Sequence, residues 1–255
     1  MQYSYLVVEG SHEVEFIGRL LRMSGLRKTR LIEDLPGFWH PLVPTSFPHG
    51  GDLLKRMPVP VFFQDDTRTV AVHSAGSISR LVPTVEETLT ILGAKKAGIS
   101  AIGMLLDADQ NGARNHFDSL RAKIQTIGLL FPDEPGTVNH TGVRTGIFVF
   151  PDNHNPGTLE DLLDDCAALI YPDLREEAHQ FTARAASAQL KPEDRSELAK
   201  PAGELKVTMG CIANFLRPTK AIQTSIEDNR WLCDESLALP RIAKLNAFLK
   251  DLIGL

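Results

Sequence analysis

The sequence predicts an α/β fold: a mostly parallel sheet flanked by helices, followed by an all-helical C-terminal region. Three observations carry that prediction. Short strand-forming apolar runs alternate with stretches of helical apolar spacing through the first 170 residues. Residues 99–106 (ISAIGMLL) are apolar or small throughout, as a strand covered on both faces requires. Beyond Pro172 the strand signals stop and only helical spacing continues.

The elements follow in order. Residues 4–8 (SYLVV) form a strand that ends at Glu9-Gly10. Ser11 then reads as a helix N-cap, with Val14, Phe16, Ile17, Leu20, Leu21 and Met23 as the apolar stripe and Gly25 as the stop. Residues 33–56, rich in Pro, Gly and His, read as an irregular insertion. Two short strands, 59–63 and 69–72, flank a turn at Asp65-Asp66. His73-Ser74-Ala75-Gly76-Ser77 leads into a helix over 78–92. The strand 99–106 is bounded by Gly98 and Asp107, and a helix over 113–127 carries Phe117, Leu120, Ile124 and Ile127 on one face. A further strand, 145–150, ends at Pro151-Asp152-Asn153, and Pro156-Gly157 opens a helix over 158–170. Helices at 174–190, 203–216 and 239–252 surround a polar stretch at 191–200. The division expected is an α/β domain over 1–170 and a helical C-terminal region over 171–255.

Composition narrows the class. Apolar residues make up 43% of the 255 and charged residues 23%, so disordered, collagen-like and coiled-coil architectures are excluded. No run approaches the ~18 apolar residues of a spanning helix, so no membrane role is expected. The opening MQYSYLVVEG lacks a basic segment before its apolar run, unlike a signal peptide. Three cysteines without a CxxC pair suggest neither a disulfide framework nor a zinc ribbon, and read as packing residues. Together these point to a cytoplasmic protein. The net charge of −5 means that nucleic acid, if bound, is held by local clusters rather than by overall charge.

The chemistry concentrates where strands end. Glu9 ends the first strand, Asp107 and Asp109 the central one, and Asp152 the last, and parallel strands share their carboxyl edge. Carboxylates converging there repel one another unless a cation lies between them, and hard oxygen donors suit Mg²⁺ or Mn²⁺. Taken singly, each Asp is also an ordinary N-cap or turn residue, and Asp107-Ala-Asp109 before Gln-Asn-Gly is a good turn.

Val8-Glu9-Gly10-Ser11-His12-Glu13, Ala75-Gly76-Ser77 and Leu106-Asp107-Ala108-Asp109 together resemble the Toprim domain of topoisomerases, primases and several nucleases. Phe150-Pro151-Asp152-Asn153 with Pro156-Gly157-Thr158-Leu159-Glu160-Asp161-Leu162-Leu163 is similar to an uncharacterised bacterial Toprim-like family related to the overcoming-lysogenization-defect nucleases. The resemblance covers residues 3–170 and part of the tail. It implies a Toprim-like sheet and nucleic-acid phosphodiester hydrolysis with Mg²⁺ or Mn²⁺, in defence or nucleic-acid processing, on DNA or RNA. Glu9 matches the Toprim metal ligand or general acid/base, and Asp107 and Asp109 match the metal-binding pair. Glu13 matches a secondary acidic position, Glu160 and Asp161 fall where the related nucleases supply carboxylates for a second metal, and Glu13, Glu160, Asp161 or the strand-end Asp152 is expected to hold that ion. Lys206 matches a helix-borne lysine that stabilises phosphate charge. Ala75 stands where relatives often have a second glycine, and the 33–56 insertion has no counterpart.

Relatives with other chemistry do not fit. The only tyrosines are Tyr3, Tyr5 and Tyr171, with no room for the further domains of a type IA topoisomerase. No zinc ribbon marks a primase and no GxxxxGK[ST] loop marks a fused ATPase, which leaves a separately encoded ATPase or other protein partner as an expectation. A haloacid-dehalogenase phosphatase wants its DxD on the first strand and Thr or Val where Asn111 stands. The alternative function is a catalytically silent metal-binding Toprim subunit of a larger complex.

The remaining residues read more simply. His40, His49, His73, His116, His140 and His154 are scattered and read as surface or loop histidines, with His12 and His154 nearest the acidic cluster. Arg27-Lys28-Thr29-Arg30 reads as a solvated turn, with a phosphate contact as the alternative. Phe38 and Trp39 read as core or loop anchors, with base stacking as the alternative. Of Glu160 and Asp161, adjacent on a helix and therefore about 100° apart, Glu160 is expected to face the site and Asp161 to lean toward solvent.

Overall fold

The computed structural model describes residues 1–46, 51–53, 58–200, 202–228 and 230–255. His49 and parts of the 33–56 stretch lie outside the described residues. The chain forms a mostly parallel seven-stranded sheet covered by helices on both faces, in the order β2-β3-β4-β1-β5-β7-β6. The strands are β1 (Gln2–Val8), β2 (Arg27–Lys28), β3 (Val61–Gln64), β4 (Arg68–Ser74), β5 (Ile99–Asp107), β6 (Val138–Asn139) and β7 (Arg144–Phe150). β4, β1, β5 and β7 run parallel. β2 and β3 on one edge and β6 on the other add antiparallel pairs.

Period-two alternation explains the unbroken apolar strands. Leu6 and Val8 of β1 face one core, while Tyr5 and Val7 face the other. The first core is closed by α1 (Ser11–Met23), α4 (Leu159–Ile170), α7 (Gly203–Leu216), α8 (Ile222–Glu227) and α9 (Pro240–Ile253), with α5 (Pro172–Ala186) behind. The second is closed by α2 (Leu81–Leu92) and α3 (Ala113–Gln125). The seven-residue α6 (Pro192–Leu198) forms within the stretch expected to be merely polar. It relies on Pro192 and an acidic first turn rather than on an apolar stripe.

The C-terminal helices are not a detached lid. Met209, Ile212, Trp231, Leu245 and Leu252 join the same cluster as Leu6, Phe16 and Phe148. Each such buried side chain contributes about 1.5–3 kcal/mol. The contact is close enough to dictate sequence on the sheet: a Cβ at Gly103 in β5 would lie 2.5 Å from Leu252 Cδ2 and 2.8 Å from Leu6 Cδ2.

Three local expectations change. Gly10, not Ser11, is the N-cap of α1, and Glu13 Oε2 accepts the Gly10 N–H at 2.9 Å. The Arg27–Arg30 run is not a solvated turn: Arg27 and Lys28 form edge strand β2, and Lys28 pairs with Glu227 at 2.7 Å and Glu15 at 3.5 Å. Trp39 is fully buried with its indole N–H on Thr69 Oγ1 at 3.1 Å, and Phe38 stacks on Tyr3, so both are core anchors. Among the described residues no helix is long and apolar enough to cross a membrane.

A shared core predicts one cooperative unit. Leu252→Ala should lower unfolding free energy by about 2–5 kcal/mol in a single urea transition. Early loss of helix signal with the sheet unfolding at the parent's midpoint would show two independent bodies instead.

Candidate functional site

After β1 the chain runs to the sheet edge at β2, returns inward through β3 to β4 beside β1, then crosses to place β5 on the other side of β1. The junction between β1 and β5 is therefore the topological switch point, where open α/β sheets leave a crevice at the carboxyl edge. Glu9 and Asp107 stand on its two sides, at the ends of adjacent strands.

Backbone hydrogen bonds hold the loops of this edge. Ala75 and Gly76 donate their N–H groups to the carbonyls of Val8 and Glu9, at 2.9 and 2.8 Å. Gly76 has φ +84°, a conformation in which a side chain is strained. Asp109, at φ +49°, exchanges two N–H···O bonds of 2.9 Å with Gly157. The Asp107–Asp109 turn is thereby stitched to the loop that starts α4, and Asp is among the residues that tolerate this backbone region.

The carboxylates sort into two groups. Asp107 is 7% exposed, and its Oδ1 accepts the Leu159 N–H at the start of α4, at 3.0 Å. Burial, then Glu13, Glu160 and Glu9 nearby, push its carboxyl well above the usual carboxylate range. Burial likewise raises Glu13, aided by Glu160 and Glu9 and opposed by its backbone and His12. Burial and then Asp109 raise Glu9, against the Asp107 backbone, Lys206 and His116. Glu160 is 3% exposed. Burial works to raise it, yet His12, with Nδ1 3.5 Å from Glu160 Oε1, and Lys206 are among the groups that outweigh burial and hold it low. Glu9, Glu13, Asp107, Asp109 and Glu160 are thus electrostatic neighbours, facing Lys206 of α7.

Asp152 and Asp161 stand apart. Asp152 Oδ1 accepts the N–H groups of His154 (3.1 Å) and Asn155 (2.8 Å), its Oδ2 accepts Asn155 Nδ2–H, and Arg241 lies 3.9 Å away. It closes a turn, and these bonds hold it below the usual range although burial opposes them. Asp161 does not lean to solvent: its Oδ2 accepts the Thr158 N–H at 2.8 Å, capping α4.

Two carboxylate oxygens, Glu9 Oε2 and Glu160 Oε2, are buried with no hydrogen-bond partner. Such orphans are rare, because an unpaired buried acceptor loses its water without replacement. Among the described residues, however, no three His, Cys, Asp or Glu side chains are gathered so that they could hold an ion. Glu9, Asp107 and Asp109 are therefore not already within one metal's reach. Asp107 is engaged with Leu159, and Asp109 sits on a turn bonded to Gly157.

Sequence reasoning undervalued two histidines. His12 is expected near the cluster but lies on Glu160, and His116 of α3, expected at the surface, is half-exposed and near enough to Glu9 to favour that carboxylate. The placement of His12 and Glu13 in the first turn of α1, directly after Glu9, was the available signal for the first. Nothing local signalled the second.

Fold and site define a mostly parallel α/β protein with a largely buried acidic cluster at its switch point. The chain belongs to the family described as Protein of unknown function (DUF3226), whose model matches residues 3–253. It is similar in structure to a hypothetical protein from Pyrococcus horikoshii OT3, known from a crystal structure. The TM-score is 0.56 and the identity 14%, over 99% of this chain and 95% of that one. At that identity the likeness concerns fold alone. No curated protein matches the sequence.

The Asp107 environment fixes a pH signature. A carboxyl raised in the folded state contributes stability that is full below its unfolded value, about 3.9, and is lost as pH rises through the folded value. Without divalent ions, Asp107→Asn keeps an acceptor for Leu159 and should gain melting temperature relative to the parent from pH 4 to pH 7. Each kcal/mol is worth about 2–4 °C in a chain this size. A pH-independent difference would refute the raised carboxyl. Asp161→Ala should instead cost about 0.5–2 kcal/mol as a lost cap, read by urea denaturation with and without Mg²⁺.

Proposed function

We propose that the protein is a cytoplasmic Mg²⁺- or Mn²⁺-dependent nuclease that hydrolyses phosphodiesters of DNA or RNA, in defence or nucleic-acid processing. The observation that carries this reading is the pair of orphaned buried oxygens, Glu9 Oε2 and Glu160 Oε2, in one acidic cluster with Asp107, Asp109 and Glu13. All-oxygen donors suit a hard divalent cation, and the Toprim resemblance of Glu9 and the Asp107/Asp109 pair points the same way. Glu9, Asp107 and Asp109 would hold one ion, with Glu13 and Glu160 available to a second. A bound cation supplies charge stabilisation at phosphate and an activated water.

The chain's own groups have definite tasks in that reading. Lys206, exposed on α7 and acting on both Glu9 and Glu160, stabilises negative charge on the phosphate. His12 orients Glu160 through its 3.5 Å contact. The Leu159 N–H holds Asp107, and the Asp109–Gly157 pairing keeps the turn in register. Asp152 and Asp161 support loops and belong to neither metal.

The second reading is a silent metal-binding subunit whose donor set closes only in a complex with a separately encoded ATPase or other protein. One experiment separates them: purified protein with plasmid, single-stranded DNA or tRNA, with Mg²⁺, Mn²⁺ or chelator. Metal-dependent cleavage that falls at least ~100-fold in Asp107→Asn and Glu160→Gln, and survives Asp161→Ala, supports the nuclease. Metal-induced thermal stabilisation, following RT ln(1 + [L]/Kd), without cleavage supports the silent subunit. Neither stabilisation nor cleavage would overturn both.

A further inference from the structure

Glu160, Asp161, Asp164 and Asp165 crowd the first two turns of α4. Like charges one turn apart on a helix repel, and here each carboxylate is met by a different group. His12 of α1 lies on Glu160, and Asp161 accepts the amide of its own N-cap. Arg175 and His179 of α5 hold Asp164 at 2.6–2.8 Å. Arg241 of α9 holds Asp165, with Nη1 at 3.4 and 3.2 Å from the two oxygens.

Arg241 differs from the others in spanning two elements. Its Nε also lies 3.9 Å from Asp152 Oδ2, so one guanidinium joins the turn after β7 to α4. The planar fork of an arginine can face two carboxylates at once, which a lysine ammonium does less well. Between these two anchor points run the groups that shape the acidic cluster. Gly157 is bonded twice to Asp109, the Leu159 N–H holds Asp107, and Glu160 carries an orphaned oxygen.

Stability is a poor reason for this bridge. The Arg241 and Asp165 side chains are 33% and 35% exposed, and ion pairs so open to water add little. What the bridge fixes is the register of the β7–α4 loop against α4.

We propose that Arg241 is a positioning residue for the acidic site. By tying Asp152 to Asp165, it keeps the Asp107–Asp109 turn and Glu160 at a spacing from which a divalent cation draws them together. The inference rests on the metal-dependent reading above.

The test titrates Mg²⁺ or Mn²⁺ alone into the full-length protein and follows its melting temperature. Without metal, Arg241→Gln should melt within about 2 °C of the parent. It should nevertheless need about tenfold more cation for half of the stabilisation, the lower end of what groups supporting metal ligands contribute. Arg241→Lys, which keeps the charge but not the fork, should recover only part of that loss. Arg175→Gln removes an ion pair of the same helix that reaches no loop, and should leave the midpoint where it is. An unchanged midpoint in Arg241→Gln, or an equal rise in Arg175→Gln, would overturn the role of Arg241 and leave the metal site standing. A parent that responds to neither cation would overturn the metal reading and this inference with it. If Arg241→Gln does not fold, Arg241→Lys compared with Arg175→Gln decides in the same way.

Discussion

The Asp107 carboxylate on the Leu159 amide is the interaction around which this edge of the molecule is arranged. It joins the central strand to the first turn of α4, brings Glu160 in beside Glu13, and does so in a place almost without water. The helix N-terminus offers partial positive charge to one carboxylate. It cannot serve all of them, so the remaining negative charge is shared with His12 and Lys206, or left on unpartnered oxygens.

The helices follow from that arrangement. α1 is capped at Gly10, onto whose N–H Glu13 folds back, and a Cβ there would sit 2.9 Å from Glu13 Oε2 and crowd that carboxylate. α7 must lie across α4 for Lys206 to act on Glu160, and it does so by burying Met209 and Ile212 in the core that also holds Leu159 and Leu162. Packing and electrostatics are thus set by the same contacts. The second core, behind β1, carries none of this charge.

Much of this was legible in advance, and for a physical reason. Strands covered on both faces must be apolar throughout, so 4–8, 99–106 and 145–150 announced themselves, and with them the shared edge that collects Glu9 and Asp107. Glu160 rather than Asp161 was legible from the placement of Leu159, Leu162 and Leu163. What was not legible depends on long-range partners. Nothing near Asp152 says that Asn155 and Arg241 will occupy it, and nothing near His73 says that Tyr5 and Thr88, distant in sequence, will bury it. Two-residue strands such as β2 and β6 carry no pattern of their own and exist only as partners of β3 and β7.

The position of β1 has a consequence for the order in which this protein can be made. It is the first strand of the chain yet lies inside the sheet, between Arg68–Ser74 and Ile99–Asp107, so both of its neighbours are synthesised much later. Until β5 has left the ribosome, the apolar residues Tyr5 to Val8 have nothing native to pair with on that side. The core that α9 completes against Gly103 stays open longer still. Contacts of such sequence separation slow folding and leave strand edges exposed meanwhile. The nascent chain is thus most vulnerable to wrong pairing at β1, and it escapes that risk only when β5 and then α9 have followed.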